Sequence, residues 1–218
     1  LCTPQIKNTR KLSFDDRRKS CRFLPTTNHQ PPTTIIILVI MKISDFTLWL
    51  DELLNPKAFP DYCTDGLCVE ASDQVTKVVT GVSFRDRLID IAIEKGADCI
   101  IVHHPNGFWK NEDRVLTGKF GERMRRLMQH GISLYGFHLP LDGHPEIGNN
   151  AVIARGLGLD NLQGFMFEGD MPVGYYGDFR ETKSQADFLN LCDKFFEHGV
   201  QNKFFFGTNC IRRVAVCS

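Results

Sequence analysis

No two cysteines in the sequence are separated by just two residues, the spacing that many structural zinc sites and thiol redox pairs use. The eight cysteines, Cys2, Cys21, Cys63, Cys68, Cys99, Cys192, Cys210 and Cys217, are scattered along the chain. Cys99, Cys192 and Cys217 sit among apolar neighbours, as buried free thiols do. A chain of 218 residues that is 42% hydrophobic has enough material for a full core, so a disulfide scaffold is not expected. The reading is a reducing compartment, the cytoplasm. Net charge is also lacking: 26 Lys and Arg face 26 Asp and Glu. That excludes a general nucleic-acid or anionic-membrane binder, which needs an excess of positive charge. Long apolar runs are missing too, since Ile35–Met41 is far short of the roughly 20 residues that span a bilayer. There is no Walker-type phosphate loop, no internal repeat and no low-complexity segment.

The balanced charge hides an asymmetry. Residues 1–40 hold seven Lys/Arg and two Asp/Glu, leaving 19 and 24 for residues 41–218. The first part is therefore about +5 and the rest about −5. Residues 1–40 show no helical or strand periodicity before "IIILVI". They read as a non-native or unprocessed leader, with an organelle-targeting leader as the alternative. Met41 is followed at once by "KISDFTLWLDELL", which opens a soluble domain over 41–218. Its first part, 41–160, reads as a βαβ half carrying the functional site, and 161–218 as the start of a second part.

Hydrophobic periodicity supplies the elements. Ser44 is expected to cap a helix whose broad apolar face holds Phe46, Trp49, Leu50, Leu53 and Leu54, stopped by Asn55-Pro56. "FPDYCTDGLCVE" is a turn-rich loop entering a short strand. A strand over 76–82 precedes a helix over 84–96 that ends in Gly96. "DCIIVHH" (98–104) is a continuous apolar strand, buried on both faces. A helix over 119–131, a strand over 132–138 and a helix over 149–159 repeat the pattern. The order predicts an α/β fold with a mostly parallel sheet covered by helices. Further on come a strand over 172–179, a helix over 184–199 capped by Ser184, and two strands, "KFFFG" and "RRVAVCS". The sequence stops inside "VAVCS", where a strand would lead into another loop and helix, so the fold is expected to be incomplete at its C-terminus.

Two strand ends carry metal-type ligands, and strand ends are where functional groups gather in open α/β sheets. One is His103-His104. The other is "FHLPLDGH", with His138 and Asp142. Adjacent strand residues point to opposite sides, so His103 and His104 are expected to reach two ions, one on each side of the strand tip, with Asp142 able to bridge them. Histidines and a carboxylate without thiolates suit Zn, Fe, Mn, Co or Ni. Two such ions about 3.5–4 Å apart can activate a shared water for hydrolysis. His144 reads as a rim residue, and His130 and His198 as helix-end residues. "GFWKNEDRVLTG" (107–118) is either a cleft-lining lid or an ordinary loop. Cys63 and Cys68, five apart in a turn, are left out of the ligand set.

The segments "DYCTDGLCVE", "VTKVVTGVSFRDRLIDIAIEKGADCIIVHHPNGFWK", "LYGFHLPLDGHPEIGNNAVIARGLGL" and "RRVAVCS" resemble the Nif-three-like family. Its members are also called GTP cyclohydrolase I type 2 homologues or dinuclear metal centre proteins. The resemblance implies a toroidal hexamer in which each subunit holds two divalent metal ions facing an internal cavity. It maps the ligand pattern onto His103, His104, His138 and Asp142. Asp65 and Gly66 match the family's "(D/N)-G-L" turn, with Cys68 where many relatives have Gln. The family's closing H-x-x-x-E motif, which completes the metal site, is absent from this sequence.

Two functions compete. One is a metal-dependent hydrolase acting on a nucleotide-like or other small molecule, as the family name implies. The other is a non-catalytic metal-binding ring with a regulatory or partner-binding role. Neither calls for direct nucleic-acid or membrane contact. An interrupted reading frame would account for the odd leader and the abrupt end.

Overall fold

Phe46, Leu50 and Leu54 recur at helical spacing and are buried, which fixes the inward face of helix α1 (Ile43–Leu54). The helix starts ahead of the expected Ser44 cap. Its N-cap is Lys42, the last residue of strand β2 (Ile36–Lys42), and no side chain caps it. Strand pairing sets this entry: Ile43 N–H donates to Asp73 O at 2.9 Å, so the chain turns into helix before Ser44 is reached. Asn55, in the left-handed region at φ 44°, ends it just before Pro56.

The computed structural model describes residues 22–23 and 36–218, which form two compact units divided after His138. The rest of the leader marked at 1–40 lies outside the described residues. The sequence reading divides the chain at residue 160 instead.

In the first unit a six-stranded sheet runs in the order β1 (Arg22–Phe23), β2, β4 (Gln74–Ser83), β5 (Cys99–His104), β6 (Ser133–Gly136), β3 (Gly66–Val69). The α/β class holds, and the parallel part is confined to the centre: β4–β5 and β5–β6 are parallel, while β1–β2, β2–β4 and β3–β6 are antiparallel. The adjacent parallel strands are joined by the helical crossovers α2 (Asp86–Lys95) and α3 (Gly118–Gln129), which parallel neighbours require.

Val79, Ile100 and Leu134 stand side by side across β4, β5 and β6 and are fully buried in one core with Leu88, Ile89, Met124 and Leu127 from α2 and α3. On the other face Tyr135 meets α1, edge-on to Phe46 at 5.6 Å between ring centroids and 2.7 Å from the Thr47 hydroxyl. Gly136 is glycine for lack of room: a Cβ there would lie 2.6 Å from the Pro105 ring. The parallel register brings the ends of β5 and β6 together, with Phe137 N–H donating to Val102 O at 2.9 Å. The histidines of both strand ends therefore arrive at the same edge.

The second unit, Leu139–Ser218, is built on a three-stranded antiparallel sheet. Its order is β7 (Asp160–Glu168), β8 (Met171–Ser184), β9 (Cys210–Val216). Helices α4 (Leu139–Gly143), α5 (Asn149–Gly156) and α6 (Gln185–Phe195) accompany it. Its core gathers Ile153, Ala154, Leu157, Leu159, Phe179 and Cys192. The expected Ser184 cap is present, accepting from Asp187 N–H. One expectation fails here, and one strand is new. β7 was not foreseen, because "DNLQGFMFE" carries too little apolar alternation to signal a strand. "KFFFG" forms no strand: Phe204 and Phe206 are 81% and 89% exposed, and among the described residues no strand pairs with it. Among the described residues no helix is long and apolar enough to cross a membrane.

Candidate metal centre

Three imidazoles converge where β5 and β6 end. The ring centroids of His103 and His104 are 4.3 Å apart, and His138 lies 5.0 Å from His103 and 5.7 Å from His104. Each of the three offers a ring nitrogen, and these nitrogens lie within 4.8 Å of one another. The sequence reading assigns His103 and His104 to two ions, one on each side of the strand tip; in the structure both rings join one cluster with His138. The pleat sends successive Cβ atoms to opposite sides. At the strand tip the two rings nevertheless lie side by side, tilted by 42°.

Each ring is held from behind at Nδ1. His103 Nδ1 is 3.2 Å from Phe137 O, His104 Nδ1 is 3.2 Å from Ser83 Oγ, and His138 Nδ1 is 2.8 Å from Asp61 Oδ1. A carbonyl and a carboxylate can only accept, so His103 and His138 donate from Nδ1 and carry their lone pair on Nε2. An imidazole anchored by its Nδ1–H to an oxygen is the usual support of a metal-ligating histidine. Burial pushes the His103 pKa down to about 4, further lowered by His138 and opposed by the Phe137 carbonyl. Its ring is thus neutral at pH 7, the form a metal requires. Three imidazoles with carboxylate support fit Zn, Fe, Mn, Co or Ni.

The residues behind His138 come from the turn before β3. Asp61 and Cys63 are buried while Tyr62, at a bend between them, is 57% exposed. Cys63 bridges Trp109 in antiparallel fashion, and Lys110 N–H donates to Tyr62 O at 2.8 Å. Asp65 Oδ1 accepts from His138 N–H at 2.8 Å, so the matched Asp65-Gly66 turn positions the His138 backbone. Burial raises the Asp65 pKa to about 7, countered by that backbone bond and reinforced by Asp61. Burial, with Asp65 and Asp61 beside it, pushes the Cys63 thiol far up. Asp61, Cys63 and His138 form a second group whose ligand atoms lie within 4.8 Å of one another. An open cleft of about 290 Å³ runs past Asp51, Asp61, Cys63, Asp65 and Lys110. The sequence reading did not single out Asp61, and left out Cys63.

Trp109, from the segment read as lid or loop, stands edge-on to His138 at 5.0 Å and 6.1 Å from His104. Asp142 belongs to the second unit. It is buried on α4, and its Oδ1 accepts from Ser218 Oγ at 2.8 Å and Asn149 Nδ2 at 3.2 Å. His144, also in that unit, receives the Glu146 and Ile147 N–H groups on Nδ1 at 3.1 Å each and organises its own loop.

A family model described as Duf34/NIF3 (NGG1p interacting factor 3) matches residues 41–218. A curated protein of Haemophilus influenzae named GTP cyclohydrolase 1 type 2 homolog is 37% identical over 175 residues, 78% of this chain and 69% of that protein. The Escherichia coli K12 protein of the same name is 46% identical over 119 residues, 55% of this chain and 48% of that protein. The chain thus aligns with about half the length of the latter. A solved structure titled protein ybgI, unknown function, superimposes with a TM-score of 0.74 at 36% identity, covering 81% of this chain and 69% of that one.

Proposed function

Because this chain belongs to the Duf34/NIF3 family, we propose that it is a metal-dependent hydrolase. His103, His104 and His138 would hold divalent metal drawn from Zn, Fe, Mn, Co and Ni, with two ions per chain as the expected content. The observation that carries the reading is the convergence of three imidazoles, each held by an oxygen on Nδ1. When bound, such ions supply Lewis acidity to water and to a substrate oxygen. The chain's own part is orientation and protonation state. Ser83, the Phe137 carbonyl and Asp61 fix the ring planes. Burial keeps His103 neutral. Trp109 lies beside the His104 and His138 rings. The substrate class is a nucleotide-like or other small molecule, in keeping with the cyclohydrolase name that the relatives carry. The working form is a homo-oligomeric ring, a hexamer, in the cytoplasm.

Metal content per chain by mass spectrometry is the first test, on the full chain and on His104→Ala. Two ions in the parent and a loss in the variant support the site. No ion in either overturns it. A hydrolysis screen with GTP and other nucleotides under each candidate metal then tests the activity, and silence under every metal argues for the second reading. That reading is a non-catalytic metal-binding ring that docks a protein partner, in line with the interacting factor in the family's description. It expects ligand variants to lose metal while keeping their partners.

A further inference from the structure

We propose that Asp61, Cys63 and His138 form a second, thiolate-containing seat for a borderline-soft divalent cation of the zinc or cobalt class, alternative to the three-imidazole seat. This goes beyond the hydrolase reading and uses a thiol that reading leaves idle.

The argument begins with the backbone. Asp61 and Cys63 flank a bend at Tyr62 and are both buried, at 4% exposure each, while Tyr62 itself is 57% exposed. The antiparallel bridge from Cys63 to Trp109 fixes that orientation. His138 closes the group from the end of β6, its Nδ1 lying 2.8 Å from Asp61 Oδ1, with its own N–H tied to Asp65. Carboxylate, thiol and imidazole atoms lie within 4.8 Å of one another, close enough for modest side-chain movement to bring them to a cation about 2.0–2.3 Å from each. The mixed S, N, O donor set favours zinc and cobalt over magnesium or calcium. The 290 Å³ cleft lined by Asp61 and Cys63 is the route in.

Binding must balance its protons. The Cys63 thiol releases its proton to solvent, and the His138 proton moves from Nδ1 to Nε2, freeing the Nδ1 lone pair for the ion. A neutral imidazole lends one lone pair. His138 therefore serves this seat through Nδ1 or the three-imidazole seat through Nε2, and its tautomer selects between them.

Cobalt distinguishes the two seats, because only thiolate ligation gives a near-ultraviolet sulfur-to-cobalt charge-transfer band, while any low-symmetry site gives visible d–d bands. The full chain is titrated with Co²⁺ in a C2S/C21S/C210S/C217S background, with and without His104→Ala. The expected result is a one-thiolate charge-transfer band that strengthens in His104→Ala. It disappears in Cys63→Ser, and in Cys63→Ala should the serine variant fail to fold, and it persists in Cys68→Ser. Visible bands with no sulfur band in either background overturn this seat and leave the three-imidazole site standing. A sulfur band that survives loss of Cys63 also overturns it. No cobalt bound in any variant overturns both.

Discussion

His138 Nδ1 lies 2.8 Å from the carboxylate of Asp61, a residue 77 positions earlier in the chain. The Asp61 side chain is 2% exposed and that of His138 18%, so the contact is shielded from water. A buried carboxylate behind a histidine fixes its tautomer and raises its basicity as a ligand. Asp61→Asn keeps the shape and removes the charge. Competition against a calibrated chelator should show metal affinity falling roughly 10- to 100-fold, with circular dichroism unchanged. Unchanged affinity would make the contact purely structural.

His103 makes the metal-free protein sensitive to acid. Its folded pKa is held near 4 by burial, against an ordinary value of 6.5. Above pH 6.5 neither folded nor unfolded chain protonates it, and its contribution is fully present. As pH falls from 6.5 towards 4, the unfolded chain takes up a proton that the folded chain refuses, and stability is lost. The gap is worth roughly 3 kcal/mol. Urea unfolding of the metal-stripped protein at pH 7 and pH 5 should show the decline. His103→Gln should flatten it, and an equally steep decline in that variant would place its origin elsewhere.

Gly136→Ala tests the packing beneath the site. The new methyl would lie 2.6 Å from the Pro105 ring, which is stiff and directly follows His104. The expected cost is about 1–3 kcal/mol, read as a lower melting temperature. Metal occupancy should fall with it, because Pro105 can yield only by moving the histidine tip. A melting temperature equal to the parent's would show that the loop gives way freely.

The second unit offers an independent test. Ser184 caps α6 by accepting from Asp187 N–H. Ser184→Ala should cost about 1 kcal/mol, and metal content should not change. Coupled loss of metal would mean that helix α6 supports the site.

Much of the first unit was legible in the sequence, because its helices carry broad apolar stripes and its central strands are continuous apolar runs. The pair of histidines at the end of "CIIV" and the His138 segment pointed to one edge of the sheet, and the three imidazoles do meet there. What the sequence concealed depends on tertiary contact. The antiparallel flanks follow from β2 and β3 pairing outside the crossover pattern. β7 is held by pairing with β8 rather than by an apolar face of its own. Asp61 was invisible as a partner because nothing local in "FPDYC" announces a histidine from the end of β6. "KFFFG" misled for the opposite reason: its composition favours a strand, but among the described residues no strand pairs with it.

Trp109 gives the molecule a gauge of its own. The chain has two tryptophans. Trp49 stacks on Phe46 in α1, while Trp109 stands 5.0 Å from His138 and 6.1 Å from His104. An open-shell ion seated on those rings would drain the excited state of the nearby indole far more than that of Trp49. Ordinary emission, in a Trp49→Phe background, then reads occupancy directly, in real time and without any label.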